Sequence, residues 1–330
     1  MVRFAVVGTN FITDYIVNAG KLVDGFQLMA VHSRDEARAK ECAEKWGATL
    51  YFTDLAALAS SDEIDAVYIA TPNFTHKEYA MQMMQAGKHV LVEKSITANA
   101  HELEEMMRMA KEKNVVMLEA LRTAFNPDYQ LIRESLVKLG TVRRCIFSSS
   151  SYSRRYDNFR AGIIENAFKP EMANGALMDL GVYVVNFMTG LFGMPDKLDA
   201  SVIKLHNGVD GVGTITATYP EMLATLFYGK IAPSSNHNEI QGEEGCMIIE
   251  SLNSPQNVTI HYRNGETESL PLQKTPFRED LKYELEAFIR FIEAKDGGEA
   301  PYNMRSLTSM RVMDEARRQL DMHFPNNDII

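Results

Sequence analysis

The first 120 residues alternate between short apolar runs rich in β-favouring residues and longer amphipathic helical patterns. Strands that are apolar throughout are typical of a parallel sheet covered on both faces. Right-handed crossovers between such strands give a doubly wound Rossmann sheet. The predicted strands are Phe4–Val7, Leu28–Val31, Ala66–Ala70, Val90–Val92 and Val115–Leu118, and helices are predicted at Asp35–Trp46, His76–Ala86 and Asn99–Lys113.

The pattern changes after Arg122, where a predicted helix at Pro127–Leu139 is followed by strand-like runs separated by turns. Successive strands without helices between them predict a large, open, mostly antiparallel sheet. We therefore predict an α/β chain with a Rossmann domain over residues 1–122 and an α+β domain over residues 123–330. In the second domain the strands are predicted at Val142–Ser150, Leu198–Leu205, Val212–Tyr219, Leu223–Lys230, Asn238–Glu250 and Val258–Tyr262, and two final helices at Asp280–Ala294 and Met304–Met322.

The composition excludes several classes of protein. A net charge of −10 argues against nucleic acid as a partner, because phosphate binding needs clustered lysines and arginines. No window holds 18 uninterrupted apolar residues, and the N-terminus lacks the pattern of a signal peptide, so we expect no membrane span. Three widely separated cysteines indicate reduced thiols and a cytoplasmic protein. The eight histidines show no metal-ligand spacing, so no metal is expected.

The first strand leads into Gly8-Thr9-Asn10-Phe11-Ile12-Thr13, a degenerate form of the glycine-rich dinucleotide loop. Only Gly8 of the three glycines is present. Asparagine tolerates a left-handed backbone, so Asn10 is expected to keep the turn. The following helix N-terminus would present free N–H groups to a pyrophosphate. The alternative is an ordinary strand–turn–helix with no ligand.

The second strand is followed by Ser33 and Arg34, where an NAD site usually has an acidic residue that binds the ribose hydroxyls. A hydroxyl and a guanidinium suit a 2′-phosphate instead, which favours NADP, with NAD as the alternative. The residue pair Ser33 and Glu36 also has the spacing of a helix capping box, and both interpretations can hold together.

Two further segments follow the carboxyl ends of predicted strands, where open α/β sheets bind their ligands. Lys94 follows the strand at Val90–Val92 and is placed to stabilise an alkoxide, although a plain surface lysine is the alternative. The segment Thr71-Pro72-Asn73-Phe74-Thr75-His76 follows the strand before it. Asn73 is predicted to bind the ribose or the amide, and Thr75 with Glu78 forms a potential capping box.

Asp179 and Tyr183 lie four residues apart in an otherwise apolar segment, so they are expected to share one helix face. Polar groups in such a place need hydrogen-bond partners, and a substrate hydroxyl and the ammonium of Lys94 would serve. Tyrosine acts as a base near neutral pH only when a nearby cation lowers its pKa. A purely structural Asp–Tyr pair is the alternative.

Taken in order, these motifs resemble the glucose–fructose oxidoreductase and inositol dehydrogenase (Gfo/Idh/MocA) family along nearly the whole chain. The likeness includes Ala86-Gly87-Lys88-His89-Val90 followed by Glu93-Lys94, then Glu119-Ala120, and Gly175 through Tyr183. Two positions depart from the family pattern, since Ser95 replaces a proline and Asn10 a glycine. Many members have histidine where this chain has Tyr183, which resembles the branch with dimeric dihydrodiol dehydrogenase.

The resemblance implies an NAD(P)-dependent dehydrogenase or reductase that transfers a hydride between the nicotinamide and a CH–OH group of a sugar, polyol or dihydrodiol-like substrate. It implies NADP in this branch, and a homodimer or homotetramer formed through the C-terminal sheet. A dinucleotide-sensing or regulatory protein without turnover is the alternative. The implied catalytic residues are Lys94, Asp179 and Tyr183, and the implied cofactor-binding residues are Gly8, Thr9, Asn10, Phe11, Ile12, Ser33, Arg34, Thr71, Pro72, Asn73, His76, Glu93 and Lys94.

Overall fold

A computed structural model describes residues 1–235 and 237–324, which form two compact units. Unit 1 consists of Met1–Arg122 and Pro276–Leu307, and unit 2 consists of Thr123–Thr275 and the residues from Thr308 onward. The N-terminal segment of unit 1 ends at Arg122, and the predicted domain boundary there stays a prediction. The segment Pro276–Leu307 differs from the prediction, because the sequence analysis placed it in the second domain. An amphipathic pattern identifies a helix but not the sheet that the helix covers.

Unit 1 is built on a six-stranded parallel sheet in the order β3-β2-β1-β4-β5-β6. This is the Rossmann order, so the predicted fold class of the N-terminal part is confirmed. Residues on both faces of β1, β4 and β5 are buried, as their continuous apolar runs predicted. The strands are β1 (Val2–Val7), β2 (Phe26–His32), β3 (Leu50–Phe52), β4 (Ala66–Ile69), β5 (His89–Glu93) and β6 (Met117–Ala120).

Helices cover this sheet, and the segment that returns from the C-terminal part of the chain contributes the start of one helix and, before it, one complete helix. In the complete helix, Phe288 packs on Phe4 of β1 with the ring centroids 6.0 Å apart. The sequence analysis did not predict the short elements β3 and α3. The helices are α1 (Phe11–Gly20), α2 (Glu36–Trp46), α3 (Leu55–Ala59), α4 (His76–Gln85) and α5 (Ala100–Lys113), with α10 (Lys282–Ala294) and the start of α11 (Ala300–Gln319) from the returning segment. The short helix α6 (Arg122–Phe125) begins at the last residue of the N-terminal segment and lies mostly in unit 2.

Unit 2 contains an eight-stranded sheet in the order β14-β13-β12-β11-β7-β10-β9-β8. Its strands pair antiparallel except for β7 with β10, which confirms the predicted mostly antiparallel open sheet. The run predicted as one strand at Asn238–Glu250 is a hairpin of two strands. The strands are β7 (Val142–Ser150), β8 (Lys197–Lys204), β9 (Asp210–Thr218), β10 (Leu223–Gly229), β11 (Asn238–Gly242), β12 (Gly245–Ile249), β13 (Val258–Tyr262) and β14 (Thr267–Ser269).

One face of this sheet is covered by helices. The buried ring of Phe187 lies edge-on to Phe147 of β7 and to Tyr129, with centroid distances of 5.1 Å in each case. The helix predicted at Pro127–Leu139 ends at Ser135 and continues as a 3₁₀ turn. The helices of this unit are α7 (Pro127–Ser135), α8 (Arg154–Arg160), α9 (Val182–Phe192) and the later part of α11.

The stretch Pro170–Phe192 is long and apolar enough to cross a membrane by length and composition. Two thirds of its most apolar window is buried inside the protein (67%), and α9 within it packs on the sheet. Burial of this kind is the mark of a core helix, so we assign the stretch to the core of unit 2.

Candidate functional site

The loop after β1 makes a close approach to β4 that only glycine allows. Gly8 has a φ of +107°, and a Cβ added at this position would collide with the carbonyl oxygen of Ala70. Thr13, at the third position of the glycine fingerprint, is buried and donates its hydroxyl to the carbonyl of Gly8 at 3.0 Å. The threonine therefore closes the loop from inside helix α1.

Asn10 acts differently from the expectation that it would hold a left-handed turn. Its backbone is extended, with a φ of −86°, and its side chain is the N-cap of α1. The Asn10 Oδ1 accepts from the N–H of Ile12 at 2.9 Å, and Nδ2 donates to Ala70 O at 2.7 Å. Asparagine is among the preferred N-cap residues, so it fixes the start of the helix without the missing glycine. Thr9 and Ile12 are half-buried, and Phe11 is exposed.

The end of β2 carries the residues predicted to select the cofactor. Ser33 is half-buried and Arg34 is exposed. The predicted capping box of Ser33 with Glu36 is wrong, because Asp35 is the N-cap of α2 and accepts from Arg38 N at 2.8 Å. Arg38 also donates from Nη2 to the carbonyl of Thr9 at 3.0 Å, which joins α2 to the loop after β1. Arg38 was not among the predicted site residues, although it lies only four residues after Arg34.

The loop after β4 is held by its own hydroxyls. The predicted capping role of Thr75 is wrong, since its side chain makes no cap bond to α4. Instead Thr75 Oγ1 lies 2.7 Å from Thr71 Oγ1 and 2.8 Å from the carbonyl oxygen of Pro72. Asn73 is buried at 9% exposure. These contacts shape the turn that carries the predicted ribose-binding residues.

His76 joins the loops after β4 and β5. Its ring is fully buried, with Nε2 2.8 Å from Thr71 O and Nδ1 3.0 Å from Ser95 O. Burial lowers the pKa of His76 to about 4, against the opposing effect of the backbone carbonyls. The ring is therefore neutral near pH 7. Its single N–H donates to one of these two carbonyl oxygens, and the other ring nitrogen only lies near the second. This position makes His76 a support for the loop that carries Lys94.

Lys94 is half-buried at the carboxyl end of β5, and its peptide bond to Ser95 is cis. The preceding residue, Glu93, accepts from Tyr68 Oη at 2.5 Å and from the N–H of Lys94 at 3.2 Å. Burial raises the pKa of Glu93, while the Tyr68 bond and the charge of Lys94 oppose the rise. The serine that replaces the family proline therefore lies in a loop anchored on both sides.

Beside this loop, unit 1 contains a group of buried acids. Glu119 accepts from Ile96 N at 3.1 Å and from Ser306 Oγ at 2.6 Å. Asp280 pairs with Arg122 at 3.2 Å. Glu284 is fully buried, and neither of its carboxyl oxygens has a hydrogen-bond partner among the residues that the structure describes. Burial raises the pKa values of Glu119, Asp280 and Glu284.

Replacing Glu284 with glutamine should stabilise the protein at alkaline pH. Burial holds the pKa of Glu284 well above its ordinary value, with the negative charges of Glu93 and Asp280 adding to the rise. The folded state therefore loses stability as pH rises from the unfolded pKa towards the folded pKa, at about 1.4 kcal/mol for each pH unit. We expect Glu284→Gln to raise the Tm at pH 8 and the gain to vanish near pH 4.

The matched control for this prediction is Glu286→Gln, on the exposed side of the same helix. Thermal unfolding of both variants across the pH range measures the effect. An unchanged or lower Tm for Glu284→Gln at pH 8 would show that the buried carboxyl carries no such penalty.

In unit 2, Asp179 and Tyr183 lie on one continuous helical segment. Asp179 is in a π-helical turn at Leu177–Gly181, and Tyr183 is in the first turn of α9. Both side chains are half-buried. The sequence analysis predicted the helix but not the π-helical turn, a local widening that is frequent at functional sites.

The start of this turn is held by Asp210 of β9. The buried carboxylate of Asp210 accepts from the N–H of Leu177 at 2.6 Å. A Cβ added at Gly175, which has a φ of +150°, would collide with Asp210 Oδ1, so glycine is needed for this approach. Burial raises the pKa of Asp210, and the Leu177 bond and the charge of Lys230 oppose the rise.

Lys230, which was not predicted from the sequence, is a partner of Asp179 within unit 2. The Lys230 ammonium donates to Asp179 Oδ2 and to the carbonyl of Ala167, both at 2.9 Å. It also lies 4.8 Å from the centroid of the Phe168 ring. The only sequence signal was a lysine that directly follows an apolar strand, a place where solvent exposure is the usual expectation.

The structure thus brings the predicted residues together in two groups. In unit 1, the loops after β1, β4 and β5 meet through Asn10 and His76, with the end of β2 joined through Arg38. In unit 2, Asp179 and Tyr183 lie on one helical segment beside Lys230. The convergence of Lys94 with Asp179 and Tyr183 stays a prediction.

Comparison with known protein families now identifies the chain. Residues 2–120 match the oxidoreductase family with an NAD-binding Rossmann fold (GFO_IDH_MocA), and residues 136–248 match the C-terminal domain of the same family. The chain belongs to the Gfo/Idh/MocA family. The predicted resemblance is confirmed, and so is the class of enzyme, an NAD(P)-dependent dehydrogenase or reductase acting on CH–OH groups.

Relatives extend over most of the chain. The scyllo-inositol 2-dehydrogenase (NADP(+)) of Bacillus subtilis is 44% identical over 98% of this chain and 99% of its own. The trans-1,2-dihydrobenzene-1,2-diol dehydrogenase of mouse is 31% identical over 78% of this chain and 79% of its own. The predicted dihydrodiol dehydrogenase likeness is therefore present, but the inositol dehydrogenase shares more of the sequence.

Solved structures confirm the fold. A 3-ketoreductase from Actinomadura kijaniata, in complex with NADP and TDP-benzene, aligns with a TM-score of 0.84 over 96% of this chain and 97% of its own. The sequence identity is 22%, so this likeness supports the Gfo/Idh/MocA architecture alone. Among residues 1–235 and 237–324, no group of three or more potential metal ligands forms a candidate site. The predicted absence of a metal stays a prediction.

Proposed function

We propose that the protein is an NADP-dependent dehydrogenase of a cyclic polyol related to scyllo-inositol. One observation supports this above the others: the NADP-dependent scyllo-inositol 2-dehydrogenase matches the chain from end to end at 44% identity. A sugar or dihydrodiol substrate is the wider class to which the proposal belongs. Reversal of the reaction would reduce the corresponding ketone.

The loops of unit 1 fit a dinucleotide. Gly8 allows the loop to approach Ala70 closely, the tight turn that the first glycine makes in dinucleotide-binding loops. Asn10 fixes the N-terminus of α1, whose free N–H groups and dipole favour a phosphate. We assign cofactor binding to the residues of these loops, namely Gly8, Thr9, Asn10, Phe11, Ile12, Ser33, Arg34, Thr71, Pro72, Asn73, His76, Glu93 and Lys94.

Arg34 is proposed to bind the 2′-phosphate of NADP, because its guanidinium is exposed directly after β2. NAD sites usually have an acidic residue at this position, and its charge would repel a phosphate. Replacing Arg34 with alanine should lower the preference for NADPH over NADH by about tenfold, the loss of one charge-assisted contact. Fluorescence titration with both cofactors measures the ratio. Lys40→Ala is the control, since Lys40 lies on the helix that follows Arg34, in an ion pair with Glu36. An unchanged ratio would remove Arg34 from the cofactor site.

The proposed chemistry divides between the two groups of residues. The deprotonated form of Lys94 or of Tyr183 accepts the proton of the reacting hydroxyl, and Asp179 orients the substrate by accepting a hydrogen bond from a neighbouring hydroxyl of the polyol. When bound, the nicotinamide ring supplies the hydride acceptor. In the reverse direction Lys94 or Tyr183 returns the proton to the carbonyl oxygen.

The uncovered face of the unit 2 sheet supports a homodimer or homotetramer. Ile146 and Phe227 are only half-buried on that face, although their neighbours in sequence, Cys145, Phe147, Leu226 and Tyr228, are buried under helices. A sheet face that exposes apolar side chains such as these is typically covered by a partner. The three cysteines are unpaired, which supports a cytoplasmic, reducing environment.

The proposed substrate class is tested by turnover with NADP across scyllo-inositol, its epimers, a trans-dihydrodiol and an aldose. We expect the highest kcat/KM for an inositol. A preference for the dihydrodiol or the aldose would place the enzyme elsewhere in the family. Tight NADPH binding without turnover of any of them would instead favour the dinucleotide-sensing alternative.

A further inference from the structure

Lys230 is an unusual residue for its place, since its side chain is 2% exposed and yet it directly follows the apolar strand β10. Burying an ammonium is costly unless charged and polar partners surround it. The structure provides the carboxylate of Asp179, the carbonyl of Ala167 and the face of Phe168. The ammonium of the lysine is therefore directed at Asp179 and at the segment that precedes it.

A stabilising role alone does not account for this arrangement. A buried ion pair usually contributes no more to stability than apolar residues of the same size. The pair is also asymmetric, because the side chain of Asp179 remains 33% exposed while that of Lys230 is enclosed. The cation thus supports the carboxylate from the protein side and leaves Asp179 accessible on the other.

The charge of Asp210 links the lysine to the π-helical turn in a second way. The charge of Lys230 opposes the rise in pKa that burial imposes on Asp210. Asp210 in turn holds the N–H of Leu177, the first residue of that turn. Lys230 therefore acts on Asp179 directly through the ion pair and indirectly through the backbone that carries it.

We propose that Lys230 is a positioning residue that holds the carboxylate of Asp179 in one orientation, so that it accepts a hydrogen bond from a substrate hydroxyl next to the reacting one. This inference rests on the proposed role of Asp179 in the dehydrogenase reaction. Proton transfer stays with Lys94 or Tyr183, as in the proposed reaction.

A double-mutant cycle on kcat/KM tests the proposal with Lys230→Met, Asp179→Asn and the combined variant of the full-length enzyme, with scyllo-inositol and NADP. Misplacement of a substrate-orienting group costs about 10²-fold, so we expect Lys230→Met to lose about 10–100-fold. In the Asp179→Asn background, Lys230→Met should lower kcat/KM by less than about threefold, because the effects of mutations at two interacting residues do not add. The Kd for NADPH should stay unchanged.

Two further variants separate positioning from structure. Phe168→Leu removes the aromatic face but keeps the ion pair, so it should lower the Tm with little loss of kcat/KM. Lys230→Arg keeps the cation and should retain more activity than Lys230→Met. Equal losses of kcat/KM in Phe168→Leu and Lys230→Met, or a full loss from Lys230→Met in the Asp179→Asn background, would make Lys230 a structural residue only.

The two proposals fail in different ways. If Asp179→Asn alone leaves kcat/KM unchanged, the proposed role of Asp179 is wrong, and this inference falls with it. If Asp179→Asn is impaired but Lys230→Met is as active as the parent, the dehydrogenase site stands and only the role of Lys230 is overturned.

Discussion

Replacing Lys94 with methionine is expected to lower kcat by about 10²–10⁴-fold, the range that general acid–base catalysis contributes. The Kd for NADPH should change little, because methionine keeps much of the length of the side chain and the contacts of Glu93 and His76 with the loop remain. Steady-state rates with an inositol and a fluorescence titration with NADPH measure the two quantities.

Lys88→Met is the matched control. Lys88 directly precedes the first residue of β5, and its ammonium donates to the carbonyls of Ser61 and Ile64. Loss of these bonds should lower the Tm while kcat is kept. If the Lys94 variant turned over the substrate as fast as the parent, Lys94 would have no part in proton transfer. An equal loss of kcat in both variants would show a general effect of removing a lysine from this strand.

Replacing Tyr183 with phenylalanine should lower kcat/KM by about 10²-fold, because it removes only the hydroxyl group that is proposed to transfer the substrate proton. The ring, which lies in the first turn of α9, remains to fill its half-buried place. Tyr183→His should retain more activity than Tyr183→Phe, since imidazole can also transfer a proton. The measurement is the initial rate with the proposed substrate over a range of pH.

Tyr219→Phe provides the comparison for that loss, because its hydroxyl donates to the carbonyl of Gly193 within unit 2. That variant should lose some stability, about 1 kcal/mol for one hydrogen bond, with no change in rate. Were the phenylalanine variant at 183 fully active, Tyr183 would be a structural partner of Asp179, as the alternative interpretation holds.

The Rossmann unit could be predicted closely from the sequence because its signal is local. Each buried parallel strand is a continuous apolar run, and each connecting helix repeats its apolar residues with the helical period. The right-handed crossover rule then limits the possible strand orders to a few. The residues at strand ends, such as Gly8 and Lys94, then fall at one edge of the sheet. The family resemblance added the second group, Asp179 and Tyr183, which spacing alone left open.

What the sequence did not predict depends on contacts between distant segments. Lys230 was interpreted as part of a strand because its partners, Asp179 and Ala167, lie 51 and 63 residues away. The segment Pro276–Leu307 joins unit 1 through packing such as Phe288 on Phe4, which no local pattern specifies. Asn10 shows a third case, in which the same residue type suits both a left-handed turn and an N-cap.

The central claim is that this protein moves a hydride from a ring carbon of a cyclic polyol to the cofactor. Incubating the enzyme with NADP and scyllo-inositol deuterated at carbon, and measuring the mass of the NADPH by mass spectrometry, follows that atom directly. We expect one deuterium on the nicotinamide and a slower rate than with the unlabelled compound. NADPH that carries no deuterium would contradict the account. So would a failure to form any NADPH by an enzyme that is shown to bind NADPH.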